Sequence, residues 1–189
     1  MELTPQQKSS ARQAVVEAAR VRLGIKEDGP PYDNCGPQVD EYLAFVGLPP
    51  GNPWCLAFAE YCVGQGLERV GAAFDVSSLV KTGYCPALAD HARTVGVLMS
   101  AEDVAAGRAV VRPGDIMLVW ETFVDPGANN YHHSGIVEEA PSTSGEFQTI
   151  EGNTNTDGVA EGYIVARQVR NIGAQASDGH PRYAFVMTL

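Results

Sequence analysis

Around Arg112 the hydrophobic period of this chain changes, and with it the kind of structure the chain can form. Ahead of Arg112, apolar residues recur three and four apart in segments opened by a proline or a polar cap and closed by glycine. Beyond it, short runs rich in Val, Ile, Tyr and Phe are separated by turns. Thr4-Pro5-Gln6-Gln7 supplies an N-cap, a proline at the first helical position and a glutamine at the third. The stripe Ala14, Val15, Ala18, Ala19 and Val21 follows, predicting a helix to about Leu23 with Gly24 as its stop. A second helix opens at Pro37, repeats Val39, Tyr42, Leu43 and Val46, and ends at Gly47. A third begins at Cys55 and runs to about Val63 or Leu67. A short helical turn is predicted around 77–80, a fourth helix from Pro86 to Gly96, and a short one from a capping Ser100 to Gly107. Strands are predicted at 116–120, 133–138, 147–150, 163–169 and 183–188. Helices first and strands later predict an α+β domain, with an antiparallel sheet of about five strands packed against the helix that starts at Cys55.

The chain of 189 residues suits one domain, 1–189, large enough to bury a core without covalent staples. Its 13 basic and 23 acidic residues leave a net charge of −10, which repels phosphate backbones and anionic lipid. Nucleic acid and membrane surfaces are therefore excluded as partners. No run approaches the length of a membrane span, and the polar start Met1-Glu2-Leu3-Thr4 is not that of a signal peptide.

Cys55 follows the turn Pro50-Gly51-Asn52-Pro53 and lies in the first turn of the apolar helix Leu56, Ala57, Phe58, Ala59, Tyr61, Cys62. Unpaired backbone N–H groups and the positive end of the helix dipole favour a thiolate there. Two later segments offer what a thiolate needs. His132-His133-Ser134-Gly135-Ile136-Val137 runs an imidazole pair into a strand, and Phe147-Gln148-Thr149-Ile150-Glu151-Gly152-Asn153 ends another strand in a carboxylate and an amide. Nucleophile, general base and orienting group are the parts of a cysteine acyl-transfer site. The hairpin loop 140–145 makes the two strands neighbours, so His133 and Glu151 fall within reach of each other. The other cysteines, Cys35, Cys62 and Cys85, include no Cys-x-x-Cys pair of the kind a zinc site uses. One disulfide among the three is open, with its connectivity unreadable from sequence, whereas a fully bonded set would consume Cys55. His91, mid-helix beside Ala92, reads as an ordinary helix residue, and Asp115 in Pro113-Gly114-Asp115 reads as structural.

Four ordered motifs resemble the CHAP family of cysteine- and histidine-dependent amidohydrolases and peptidases, within the papain-like NlpC/P60 superfamily. They are Pro53-Trp54-Cys55-Leu56-Ala57-Phe58, Arg112-Pro113-Gly114-Asp115-Ile116, His133-Ser134-Gly135-Ile136-Val137 and Thr149-Ile150-Glu151-Gly152-Asn153, and the match covers about residues 10 to 189. The resemblance implies a papain-like fold and catalysis by Cys55, His133 and Glu151, with Asn153 as a fourth, polar member. It prefers His133 to His132 because the family histidine stands two residues before a glycine, here Gly135. Trp54 is expected to shield the thiol and pack the turn, and Asn52 to be a second oxyanion donor beside the Cys55 N–H. The resemblance offers the loop with Glu27, Asp33 and Asn34 as a groove lining, and 123–131 is a second candidate wall, although solvated turns and Asx turns are the better explanation of Glu27, Asp33 and Asn34 taken individually.

The implied activity is hydrolysis of an amide bond in peptidoglycan, in the stem peptide, the crossbridge or between sugar and peptide. The alternatives are a cysteine amidase or peptidase of the same fold acting on a non-wall amide, and a non-catalytic binding module. Some family members bind calcium just before the cysteine, but 47–53 carries no carboxylate, so neither a metal nor another cofactor is expected. A monomer is expected, with peptidoglycan peptide as partner and an immunity protein if the chain is an injected effector. Its place of action would be the periplasm or wall, reached by phage lysis or dedicated secretion, and otherwise the cytoplasm.

Overall fold

A computed structural model describes residues 2–29, 31–122, 130–155 and 162–189. Helix α1 (Pro5–Arg20) starts as its capping box requires. The Thr4 side chain accepts the Gln7 N–H at 3.2 Å, and the Gln7 side chain accepts the Thr4 N–H at 3.0 Å. Helix α2 (Pro37–Phe45) buries Val39, Tyr42 and Leu43, and α3 (Cys55–Glu68) is buried without interruption from Cys55 to Val63. Helix α4 spans Cys85–Thr94 and α5 spans Ala101–Ala105, with the Ser100 hydroxyl accepting the Asp103 N–H. The short turn expected at 77–80 lies earlier, as a 3-10 turn at Phe74–Val76. There the Ser77 hydroxyl donates to the Phe74 carbonyl and ends it.

The strands are β1 (Leu98–Ser100), β2 (Ile116–Trp120), β3 (Tyr131–Glu139), β4 (Glu146–Thr154), β5 (Ile164–Asn171) and β6 (Tyr183–Val186). They form one antiparallel sheet of six strands in the order β1-β6-β2-β3-β4-β5. The sixth strand corrects the expectation of about five. Leu98-Met99-Ser100 is too short to show alternation by itself, and it is a strand because β6 presents an unpaired edge to it.

Both faces of the sheet are covered, so β2 reads as a continuous apolar run rather than an alternating one. Ile116, Leu118, Ile136, Ile150, Ala184 and Val186 face a core shared with α1 to α4. Met117, Val119, Val137, Phe147, Tyr183 and Phe185 pack on the opposite side with Ala101 of α5. Asp115 ties the layers together, accepting from the Arg12 guanidinium, the Arg112 N–H and the Thr188 N–H. It is fully buried and structural, as its turn suggested.

The chain leaving α1 lies along the outer edge of β5. Gly24 N–H donates to the Val165 carbonyl at 2.9 Å, Val165 N–H to Ile25 at 2.8 Å, and Glu27 N–H to Tyr163 at 2.9 Å. Among the described residues, no helix is long and apolar enough to cross a membrane.

Candidate active site

Cys55 is the first residue of α3, and no side chain caps that helix start, so the first-turn N–H groups remain available around the sulfur. His133 enters from β3 and Glu151 from β4, strands joined by the 140–145 connection. The His133 Nε2 lies 2.8 Å from the Glu151 Oε2. That contact occupies one ring nitrogen and leaves Nδ1 as the atom available to Cys55, which together with Glu151 raises the imidazole. Two glycines allow this convergence. A Cβ on Gly135 would stand 2.5 Å from the Glu151 Cγ, and one on Gly152 would stand 2.7 Å from the Trp54 Cζ3 and 2.8 Å from the Phe58 Cβ. The first leaves room for the carboxylate under β3, and the second lets the nucleophile helix approach β4.

Glu151 has no exposed surface, and its oxygens are all engaged. Arg170 of β5 grips it with Nε at 3.0 Å from Oε1 and Nη2 at 2.7 Å from Oε2, while the Thr149 hydroxyl donates to Oε1. Burial alone would raise the carboxyl. The hydrogen bonds and charges of His133 and Arg170 overcome it and hold Glu151 at about 2. Burial likewise pulls the His133 imidazolium down, yet its bonds to Cys55 and Glu151 lift it to about 10. The Cys55 thiol is drawn well below the ordinary range, foremost by a hydrogen bond from Cys85 and then, against burial, by the hydrogen bond and charge of His133. The resting site is thus a thiolate beside an imidazolium whose far side rests on an ionised carboxylate. Among the described residues the buried Ser134 hydroxyl has no hydrogen-bond partner, and it lies near enough to Cys55 to contribute to lowering the thiol.

The sulfur opens into a cleft of about 420 Å³ lined by Asn52, Cys55, Tyr84, Cys85, Tyr131 and His132, among others. No family model, curated protein or solved structure matches this chain. What the site can do therefore rests on its own geometry: a nucleophile, a base and an orienting acid in contact, at the floor of an open cleft, which is equipment for acyl transfer.

The remaining expected residues take different places. Trp54 has no exposed surface, and its indole N–H donates to the Glu27 carboxylate at 2.9 Å. It packs the turn, as expected, but has no hydrogen left for an oxyanion, which removes it as a donor to substrate. Asn52 lines the cleft with its amide donating to the Pro49 carbonyl at 2.9 Å, so its N–H is partly engaged by its own turn. Asn153 is buried after Gly152 with a left-handed φ of 51°, where β4 shifts register, and its carbonyl accepts the Gly162 N–H. None of the hydrogen bonds among the described residues joins its side chain to His133 or Glu151, whereas Arg170 donates two to Glu151. His132 stands at the cleft wall, 3.5 Å from Glu121, which Arg182 holds at 2.9 Å. His91 is half-buried on α4.

Glu27 accepts both the Trp54 indole and the Asn34 N–H, so the 25–37 loop braces the nucleophile turn and does not line this cleft. Most of the second expected groove wall, 123–129, lies outside the described residues. All four cysteines are free thiols. Among the described residues no group of three or more His, Cys, Asp or Glu side chains is placed to hold a metal ion.

Proposed function

We propose that the chain is a cysteine amidohydrolase of the papain-like, CHAP type that cuts an amide bond of peptidoglycan. The single observation carrying the catalytic part is the 2.8 Å contact of the His133 Nε2 with Glu151, on an imidazole that Cys55 and Glu151 together raise. The substrate class rests on the four ordered motifs that resemble that family.

In this mechanism the Cys55 thiolate attacks the carbonyl carbon of the amide. The oxyanion that forms is met by the Cys55 backbone N–H at the head of α3 and by one further donor at the cleft. His133, already protonated, delivers its proton to the leaving amine, and the carbon–nitrogen bond breaks. Neutral His133 then draws a proton from water, whose oxygen attacks the acyl-thioester carbon. Collapse of the second tetrahedral intermediate releases the carboxylic product and restores the thiolate–imidazolium pair. Glu151 stays ionised throughout, held so by Arg170 and Thr149, and fixes the imidazole plane.

The test is release of new amino groups from purified peptidoglycan, with mass spectrometry of the muropeptides to identify the bond. Wild-type protein should release them and Cys55→Ala should not. Silence from wild-type protein, under conditions where a control hydrolase works, refutes the wall assignment. A second reading, hydrolysis of a non-wall amide by the same three residues, is favoured by the net charge of −10, which gives no attraction to an anionic wall. Turnover of small peptides or amides with none on muropeptides would select it.

A further inference from the structure

The hydrolytic cycle leaves one chemically competent neighbour of the nucleophile unused. Cys85 begins α4 as Cys55 begins α3, and neither helix start has a side-chain cap. Cys55 and Cys85 line the same cleft, both are buried, at 6% and 3% exposure, and each is near enough to shift the titration of the other. Neither is engaged in a disulfide. The other cysteines stand apart from this pair. Cys62 lies two turns further along α3, about 10 Å down the axis, and its burial pushes the thiol up to about 12. Cys35 belongs to a loop, where its thiol donates to the Asp33 carbonyl.

We infer that Cys55 and Cys85 form a reversible oxidative modification site, in which a hydroperoxide converts the nucleophile to a Cys55–Cys85 disulfide and so switches the enzyme off. The inference uses the same thiolate–imidazolium pair as the proposed hydrolase, with a peroxide oxygen in place of an amide carbon. The Cys55 thiolate attacks one peroxide oxygen and the oxygen–oxygen bond breaks. The departing oxygen takes the His133 proton and leaves as water or alcohol, and Cys55 is left as a sulfenic acid. The Cys85 sulfur then attacks the Cys55 sulfur. The sulfur–oxygen bond breaks, the hydroxide leaves as water with the Cys85 proton, and the disulfide closes. Two thiols are oxidised and one hydroperoxide is reduced. A small dithiol reverses the step by exchange, through the same open cleft.

The neighbourhood suits each half of this chemistry. Cys55 is the thiolate and therefore the sulfur a peroxide oxidises first. Cys85 keeps its proton, because the hydrogen bond with Cys55, burial and the Cys55 charge all push it well above the ordinary range. It therefore resists direct oxidation and waits for the sulfenic acid. Closing a disulfide brings the sulfurs to about 2 Å, by rotation of two cysteine side chains that line one cleft. Bonded in this way, Cys55 has no thiolate for an amide, and the disulfide also protects it from the irreversible sulfinic state.

The experiment uses the whole reduced protein, treated with hydrogen peroxide in slight excess and followed by intact mass, by non-reducing peptide mapping and by amide hydrolysis. The expected result is loss of the mass of two hydrogen atoms, a linked peptide pair containing Cys55 and Cys85, activity lost at the rate of linking, and recovery with dithiothreitol. Cys85→Ala, whatever its basal rate, should instead gain two or three oxygen atoms on Cys55 and not recover. Mapping on wild-type protein needs no variant to fold. It overturns the inference if Cys55 becomes sulfinic while Cys85 stays a thiol, or if the link runs to Cys35. A protein that hydrolyses amides but never links refutes the switch alone. One that links without ever hydrolysing supports the thiol chemistry and refutes the function.

Discussion

Glu60 lies on the inner side of α3 with no exposed surface, and it is the most sensitive point for testing the electrostatics of this core. Its Oε2 accepts the backbone N–H groups of Thr82 at 3.1 Å and Gly83 at 3.3 Å, which anchors the cleft wall just before Cys85. Its Oε1 has no partner among the described residues. Burial raises the carboxyl from 4.5 to about 7, against the opposing pull of the two N–H groups and Lys81. The folded protein thus holds this proton more tightly than the unfolded chain. The stabilising contribution is complete below pH 4.5 and is lost as pH rises through about 7. The interval from 4.5 to about 7, at about 1.4 kcal/mol per pH unit, amounts to about 3 kcal/mol. Glu60→Gln keeps an acceptor for both N–H groups and cannot ionise, so the stability difference between the two proteins isolates this one carboxyl. Urea unfolding followed by the fluorescence of Trp54 and Trp120, repeated from pH 4 to pH 8.5, should show the variant gaining on wild type by about 3 kcal/mol across that range. A difference that stays flat with pH, or a wild type that is the more stable protein at pH 8, refutes the account of Glu60 as a buried, strained carboxylate.

Three further outcomes follow from the same contacts. Glu151→Gln should lower kcat/KM by about 10²-fold or more. It should also bring the alkaline limb of the wild-type profile, set near pH 10 by His133, toward neutrality, and acid-induced unfolding of wild type should show a loss between pH 4.5 and about 2 that the variant lacks. Gly152→Ala forces a Cβ to within 2.8 Å of Trp54 and Phe58, so it should destabilise by about 1–3 kcal/mol in urea and slow alkylation of Cys55 as α3 is pushed off β4. Asp115→Ala leaves the Arg12 guanidinium buried without its partner and should cost about 3–5 kcal/mol by chemical denaturation, with the thiol reactivity of the remaining folded protein unchanged.

The elements bearing strong local signals were legible in the chain. The Thr4 to Gln7 capping box, the turn before Cys55 and the short apolar runs of β3 and β4 bounded by turns are each decided within a few residues, and His133 and Glu151 meet because one short hairpin joins their strands. Strand β1 was not legible, since three residues carry no period and their strand character comes from the β6 edge. Arg170 was hidden for a similar reason. It is one of several polar residues on β5, and its role appears only once β4 and β5 are paired. Cys85 could be recognised as a helix start from the proline after it, but its contact with Cys55 depends on how α3 and α4 converge over the sheet. Gly135 offered a spacing match alone, and the reason for it is the volume of the Glu151 side chain beneath it.

The segment after α1 has two attachments. Its backbone zips onto β5 through Gly24, Ile25 and Glu27, which denies part of the sheet's outer rim to a strand from another molecule. Its Glu27 carboxylate grips the indole that stands immediately before Cys55. A single proteolytic nick in this stretch would therefore undo two things at once, opening a sticky rim for self-association and letting the sulfur drift from its base.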